Sequence, residues 1–154
     1  MSMTLASWGQ QAPPMPDDPP RASWQWSLIS PLDLTTSRME MRSALEQRSD
    51  QLPDCAEPED VDRLLLAYEE LASNGLRHGT PPVLVEVTGT AGGWLIDVTD
   101  AATDDPPTPA VGRDPADGGL GLYLTAALAT ACGWVTAGNR KHVWACIRPI
   151  RFHD

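Results

Sequence analysis

Cysteine is scarce: Cys55, Cys132 and Cys146 are the only three in 154 residues. They are odd in number and far apart, with no CxxC pair, which argues against a disulfide framework or a structural zinc site. Cys132 and Cys146 sit inside apolar runs, where free buried thiols are expected. Long apolar runs are also missing. None approaches about 18 residues, so no membrane span is expected. The opening MSMTLASWGQQAPPMPDDPP has no charged n-region and no long h-region, and the cytoplasm is the expected location. Basic residues are few as well, 11 Lys and Arg against 21 Asp and Glu, for a formal charge of −10. That balance, with a pI near 4.5, argues against direct capture of nucleic acid, whose phosphates are held by clustered Lys and Arg. Only one of the basic residues is lysine, Lys141. The arginine bias is what a high-G+C coding background produces and hints at a bacterial source.

What is present is enough for one domain. Hydrophobic residues make up 42% of the chain, an ordinary globular share, and 154 residues can bury a core. Residues 1–22, rich in Pro, Gln, Ser and Asp, read as a flexible N-terminal arm, and 23–154 as the domain. SWQWSLIS (23–30) alternates Trp24, Trp26 and Leu28 on one face, as a strand does. PLDLTTSRMEMRSALEQRSDQ (31–51) reads as a helix capped near Asp33 or its Thr neighbours, with Leu34, Met39, Met41 and Leu45 apolar. A second helix starts near Pro58, with acidic residues in its first turns where the macrodipole favours them. Its buried stripe is Val61, Leu64, Leu65, Tyr68, Leu71, Ala72 and Leu76. VLVEVTG (83–89) and WLIDVTD (94–100) flank a short hairpin turn. The stretch 101–119 is long, Pro- and Asp-rich and aperiodic, the pattern of a lid, a binding loop or disorder. LGLYLTAALATACG (120–133) reads as an apolar helix ending at Gly133, followed by strands at 134–138 and 142–149. Antiparallel strands with helices on one side give an α+β two-layer sandwich with a mixed, mostly antiparallel sheet.

Polar residues collect in three places. In EELASNGLRHG (69–79), Glu70, Asn74 and His78 recur at i, i+4 and i+8, nearly one above another on a helix. Gly79 then offers a left-handed stop. Asp100 ends a strand, and Gly118, Gly119 and Gly121 open a helix. Taken singly, these are a wet helix edge, a turn and loop slack. Together they suit a nucleotide. A carboxamide oxygen is a fit ligand for Mg²⁺, which otherwise takes waters and phosphates. Glycines at a helix N-terminus let backbone N–H groups approach an anion. An Asp at a strand end can accept from an adenine amino group, and Glu70, one turn from Asn74, is placed as a general base.

These segments resemble the GHKL ATP-binding fold, and within it the bacterial anti-sigma-factor serine kinases and their RsbW-like relatives. The resemblance covers about residues 24–149. EELASNGLRHG is similar to the N-box, usually E-L-x-x-N-A-x-x-H-G. IDVTDAATDDPP stands at the first glycine box, with Ala102 at its first Gly position. DGGLGLYLTAALATACGW resembles the second glycine box, and RKHVWACI the last strand, where relatives read G-K-T-V-W. The resemblance implies ATP and Mg²⁺ as cofactors, Glu70 as catalytic base and Asn74 as metal ligand. It implies cofactor contacts from Asn74, Asp100, Gly119, Leu120, Gly121 and Leu122, and from His142 in place of the usual Thr near the adenine end. Arg77 and His78 match the family pattern but suit the helix C-terminus structurally. The implied activity is phosphorylation of a small STAS-type anti-anti-sigma protein, with a sigma factor held and released in exchange and a homodimer as the form of some relatives. The alternative is a non-catalytic module of the same fold that sequesters a protein partner. A detached histidine-kinase sensor fragment is disfavoured, since no helix resembles a His-bearing dimerisation segment.

Overall fold

The computed structural model describes residues 8–16, 18–104 and 120–150, with only the backbone of Leu120. Among the described residues six strands form one sheet: β1 (Gly9–Gln10), β2 (Ala22–Leu28), β3 (Val83–Thr90), β4 (Gly93–Asp100), β5 (Ala131–Ala137) and β6 (Arg140–Ile147). Their spatial order is β1-β5-β6-β4-β3-β2. Only β1 and β5 run parallel; the other neighbours are antiparallel. Helices α1 (Pro31–Gln47), α2 (Pro58–His78) and α3 (Leu120–Leu128) complete the fold.

Strand alternation decides which face the helices cover. Val83, Val85, Val87, Ile96, Val98, Val143, Ala145 and Ile147 are buried, while the intervening Leu84 and Glu86 are exposed. The buried set meets Leu64, Leu65, Tyr68, Leu71 and Ala72 of α2 and Leu34, Met41 and Leu45 of α1 in one core. This is the expected two-layer sandwich. Met39, expected among the apolar positions of α1, is 63% exposed on its outer side.

The elements differ from expectation where side chains override local pattern. α1 begins three residues earlier, at Pro31 after Ser30, because Asp33 reaches back to accept from the N–H groups of Ile29 (2.8 Å) and Ser30 (3.1 Å). That satisfies donors the helix start leaves open. Gly133 does not stop a helix. α3 ends at Leu128 and Gly133 lies inside β5, where a Cβ would stand 2.9 Å from the Trp144 ring and 3.0 Å from the Gly9 carbonyl. Gly79 does not take the left-handed conformation either; its φ is −82° and ψ 168°.

The segment expected as a flexible arm supplies part of the sheet. Gly9 and Gln10 pair with Gly133 and Trp134. Trp8, packed against the core, donates its indole N–H to the Leu122 carbonyl of α3 at 2.9 Å. Beyond β1 the chain crosses onto the face without helices, where the Trp144 indole donates to the Gln11 carbonyl at 2.7 Å. It reaches the far edge at Arg21, whose N–H meets the Gly89 carbonyl at 2.7 Å.

Candidate nucleotide site

The long helix α2 sets the first part of the site. Pro58 opens it with Glu59 and Asp60 in the first turn, and Arg77 and His78 close it, an arrangement that complements the dipole at both ends. Its apolar stripe faces the sheet, so the edge carrying Glu70, Asn74 and His78 turns toward the start of α3. Glu70, Asn74, Arg77 and His78 line one small cleft with Gly121 and Leu122. Gly121 lies against the Glu70 side chain: a Cβ at 121 would be 3.2 Å from the Glu70 carboxyl carbon, and its carboxylate oxygen would be closer still. Arg77 donates to the Ser73 hydroxyl at 2.8 Å, which holds the guanidinium along the helix edge.

Asp100 forms the second part, at the end of β4 on the helix-covered face. Its Oδ1 accepts from the N–H of Ala102 at 2.7 Å and of Thr80 at 3.3 Å. Oδ2 stands 3.6 Å from Nζ of Lys141. Asp100 is 2% exposed and Lys141 4%. Gly79 explains how the carboxylate comes so close to the end of α2. A Cβ there would sit 2.7 Å from the Asp100 carboxyl carbon.

Glu70, Asn74, Gly121 and Leu122 are thus brought together, with Asp100 packed against the residue that ends the same helix. Leu120 opens α3, while Gly119 and the loop residues 105–118 lie outside the described residues. His142 does not join them. It pairs across the sheet with Thr99, on the face away from the helices, and its Nδ1 lies 3.0 Å from Asp97 Oδ2. The physical reason is the two-residue period of a strand. Asp100 pairs directly with Lys141, so the next residue must point the other way. Lys141 is therefore the β6 residue that shares the face of Asp100, and the signal sequence reasoning missed was parity. Burial raises the Asp97 carboxyl pKa, opposed by the hydrogen bond and charge of His142.

A roomier hollow of about 530 Å³ lies on this far face, lined by Gln25, Leu84, Glu86, Asp97, Thr99 and His142. The chemistry favours the smaller cleft. There the described residues offer no protein hydrogen-bond partner to the Glu70 carboxylate or the Asn74 carboxamide, so both groups face the cleft. Backbone can approach an anion at Gly121, where no Cβ intervenes. No group of three or more His, Cys, Asp or Glu that could hold a metal ion occurs among the described residues. A metal here would rest on Asn74 and on oxygens brought by a ligand, as suits Mg²⁺. No described helix is long and apolar enough to cross a membrane.

Comparison with known proteins bears on the fold. The structure is similar to the crystal structure of the RsbU and RsbW domains of Rv1364c from Mycobacterium tuberculosis, with a TM-score of 0.57 and 17% identity. The match covers 86% of this chain and 35% of that one, so the chain spans about a third of its length. The Acinetobacter baumannii histidine kinase AdeS matches at TM-score 0.43 and 16% identity, over 82% of this chain and 68% of that one. Among curated protein sequences nothing matches. The family described as the histidine kinase-like ATPase domain matches residues 33–147, most of the sequence and every helix of the site. This chain belongs to the histidine kinase-like ATPase domain family.

Proposed function

We propose that the protein is an ATP- and Mg²⁺-dependent serine/threonine kinase of the anti-sigma type, acting on a small STAS-type antagonist and releasing a sigma factor in exchange. The observation that carries this is the meeting of Glu70, Asn74 and the glycine backbone of α3 in one cleft. Likeness to a structure that contains an RsbW domain supports the choice of partner class. Asn74 would hold Mg²⁺, which neutralises phosphate charge when bound. Gly119, Leu120, Gly121 and Leu122 supply backbone at the phosphate end, Asp100 accepts from the base, and Glu70 takes the proton of the attacking hydroxyl.

The test is phosphate transfer from ATP·Mg²⁺ to candidate STAS-type proteins, with ATP binding measured in parallel by calorimetry. Glu70→Ala should bind ATP normally and transfer roughly 10²–10⁴-fold more slowly. Asn74→Ala should lose both. Transfer at the unaltered rate in Glu70→Ala would reduce that residue to a helix edge. The engagement of Asp100 by Ala102, Thr80 and Lys141 favours a second reading, a non-catalytic module that sequesters a partner. Partner binding with no transfer to any candidate would select it.

A further inference from the structure

We propose that Trp8 is a positioning residue for the nucleotide cleft: its indole N–H, bonded to the Leu122 carbonyl, holds the first turn of α3 and so keeps Gly121 against Glu70. The inference rests on the nucleotide reading above and adds to that site a residue from outside it. Trp8 lies well ahead of residues 33–147, the span that the family matches, so the tie belongs to this chain's own N-terminal stretch.

The start of α3 is weak by itself. The helix has nine residues, and helices shorter than about 12 residues are marginal without outside contacts. Its second residue is Gly121, and a glycine loosens a helix further. That glycine is required, because a Cβ there would run into the Glu70 side chain. The position that must stay bare beside Glu70 is therefore also the one that weakens the helix start. Arg63 holds the opposite end of α3, donating to the Leu128 carbonyl at 2.7 Å. At the cleft end, Trp8 supplies the matching tie at 2.9 Å.

The placement of Trp8 does not depend on α3. Gly9 and Gln10 pair with Gly133 and Trp134 of β5. The Gln11 N–H meets the Trp134 carbonyl at 2.7 Å, and the Trp144 indole holds the Gln11 carbonyl. The Trp8 ring packs against the core. An indole fixed on the sheet in this way is a rigid donor, and it can only donate. The carbonyl it engages belongs to Leu122, which lines the cleft with Glu70, Asn74 and Gly121. A shift of α3 on the order of 1 Å would carry that backbone away from a ligand, and misplacement of this size is costly in a preorganised site. A packing role needs only the ring of Trp8. Positioning needs its N–H.

Trp8→Phe, which keeps a ring and removes the N–H, tests this on the full chain by hydrogen exchange and by calorimetry with ATP·Mg²⁺. In the free protein, exchange over residues 120–126 should quicken roughly 3–10-fold, the usual worth of one neutral hydrogen bond. The rest of the domain should keep its protection. Affinity for ATP·Mg²⁺ should fall by a similar factor with the melting temperature nearly unchanged. Saturating ATP·Mg²⁺ should return the exchange of α3 to the unaltered level, because ligand and indole order the same turn. Arg21→Met loosens the same stretch at its far end, where Arg21 donates to the Leu52 carbonyl and pairs with Asp54, both at 2.9 Å. It should bind ATP·Mg²⁺ as the unaltered protein does. Unaltered ATP affinity in Trp8→Phe would overturn the proposal and leave the nucleotide reading intact. So would faster exchange spread over the whole domain, or an equal loss of affinity in Arg21→Met. Absence of ATP binding by the unaltered protein would overturn both.

Discussion

At the scale of single residues, glycines and one tyrosine carry testable consequences. Gly121→Ala would place a methyl group against the end of the Glu70 side chain. That end is flexible, so the fold should lose less than about 1 kcal/mol, while the carboxylate is pushed out of the cleft. Phosphate transfer should therefore fall with the melting temperature nearly unchanged, and an unchanged rate would separate Gly121 from Glu70. Gly79→Ala is a different matter. Its Cβ would meet the Gly75 carbonyl at 2.5 Å and the Asp100 carboxyl carbon at 2.7 Å; backbone cannot swing aside, and a urea titration should show a loss of about 1–3 kcal/mol. Tyr68 ties α2 to α1 through a hydrogen bond to the Ser37 hydroxyl, which itself donates to the Leu34 carbonyl. Burial pushes its pKa from 10.0 up to about 12. The fold keeps this proton where the unfolded chain loses it. The resulting stabilisation is complete below pH 10 and disappears as pH rises to about 12. It amounts to about 2–3 kcal/mol, and Tyr68→Phe should flatten that part of the stability–pH curve.

At the scale of elements, α3 is held at its C-terminal end by a residue of α2. Arg63 donates to the Leu128 carbonyl at 2.7 Å and the Arg148 carbonyl at 2.9 Å, and pairs with Asp60 at 3.2 Å. Asp60 also accepts from the N–H of Glu57 and of Ile150. Arg63→Met should cost about 2–4 kcal/mol in a urea titration, because it strips a buried carboxylate and two carbonyls of their donor. Hydrogen exchange should locate the loosening at the end of α3. Such ties were not legible in the sequence, whereas the elements themselves were. The apolar stripe of Leu64, Leu65, Tyr68, Leu71 and Ala72 announced α2, and alternation announced β2, β3 and β4, because both periods are local. The site was legible in the same measure. Glu70 and Asn74 share a helix edge by spacing alone, but the face of His142 depended on the register of β6 against β4, a long-range fact. Resemblance points to position 142; the register puts 141, not 142, on the face of Asp100. Gly133 misleads for a related reason: it reads as a helix stop, yet it lies inside β5 because the Trp144 ring and the Gly9 carbonyl pack on it. Gly79 does end α2, though without the left-handed conformation.

At the scale of the whole molecule, the N-terminal stretch closes one sheet edge and starts the other. A chain lacking residues 1–20 would bare the β5 edge and the ring of Trp144, now 1% exposed. Uncovering a buried aromatic of that size costs about 1.5–3 kcal/mol, and an open edge invites pairing with other chains. The truncated protein should unfold at lower urea and show concentration-dependent light scattering; a stable monomer would show that the stretch is dispensable. Trp8 extends the consequence from stability to motion. One end of the stretch grips the first turns of α3 through an indole hydrogen bond to Leu122, and the other is anchored at Gly89 of β3. It acts as a brace stretched across a twisted plate. Flattening or coiling of the sheet changes the distance the brace must span, and the strain is delivered to the helix that begins beside Glu70. A load placed on the N-terminus accordingly reaches Leu122, next to Gly121, through the Trp8 indole as well as the core it packs on.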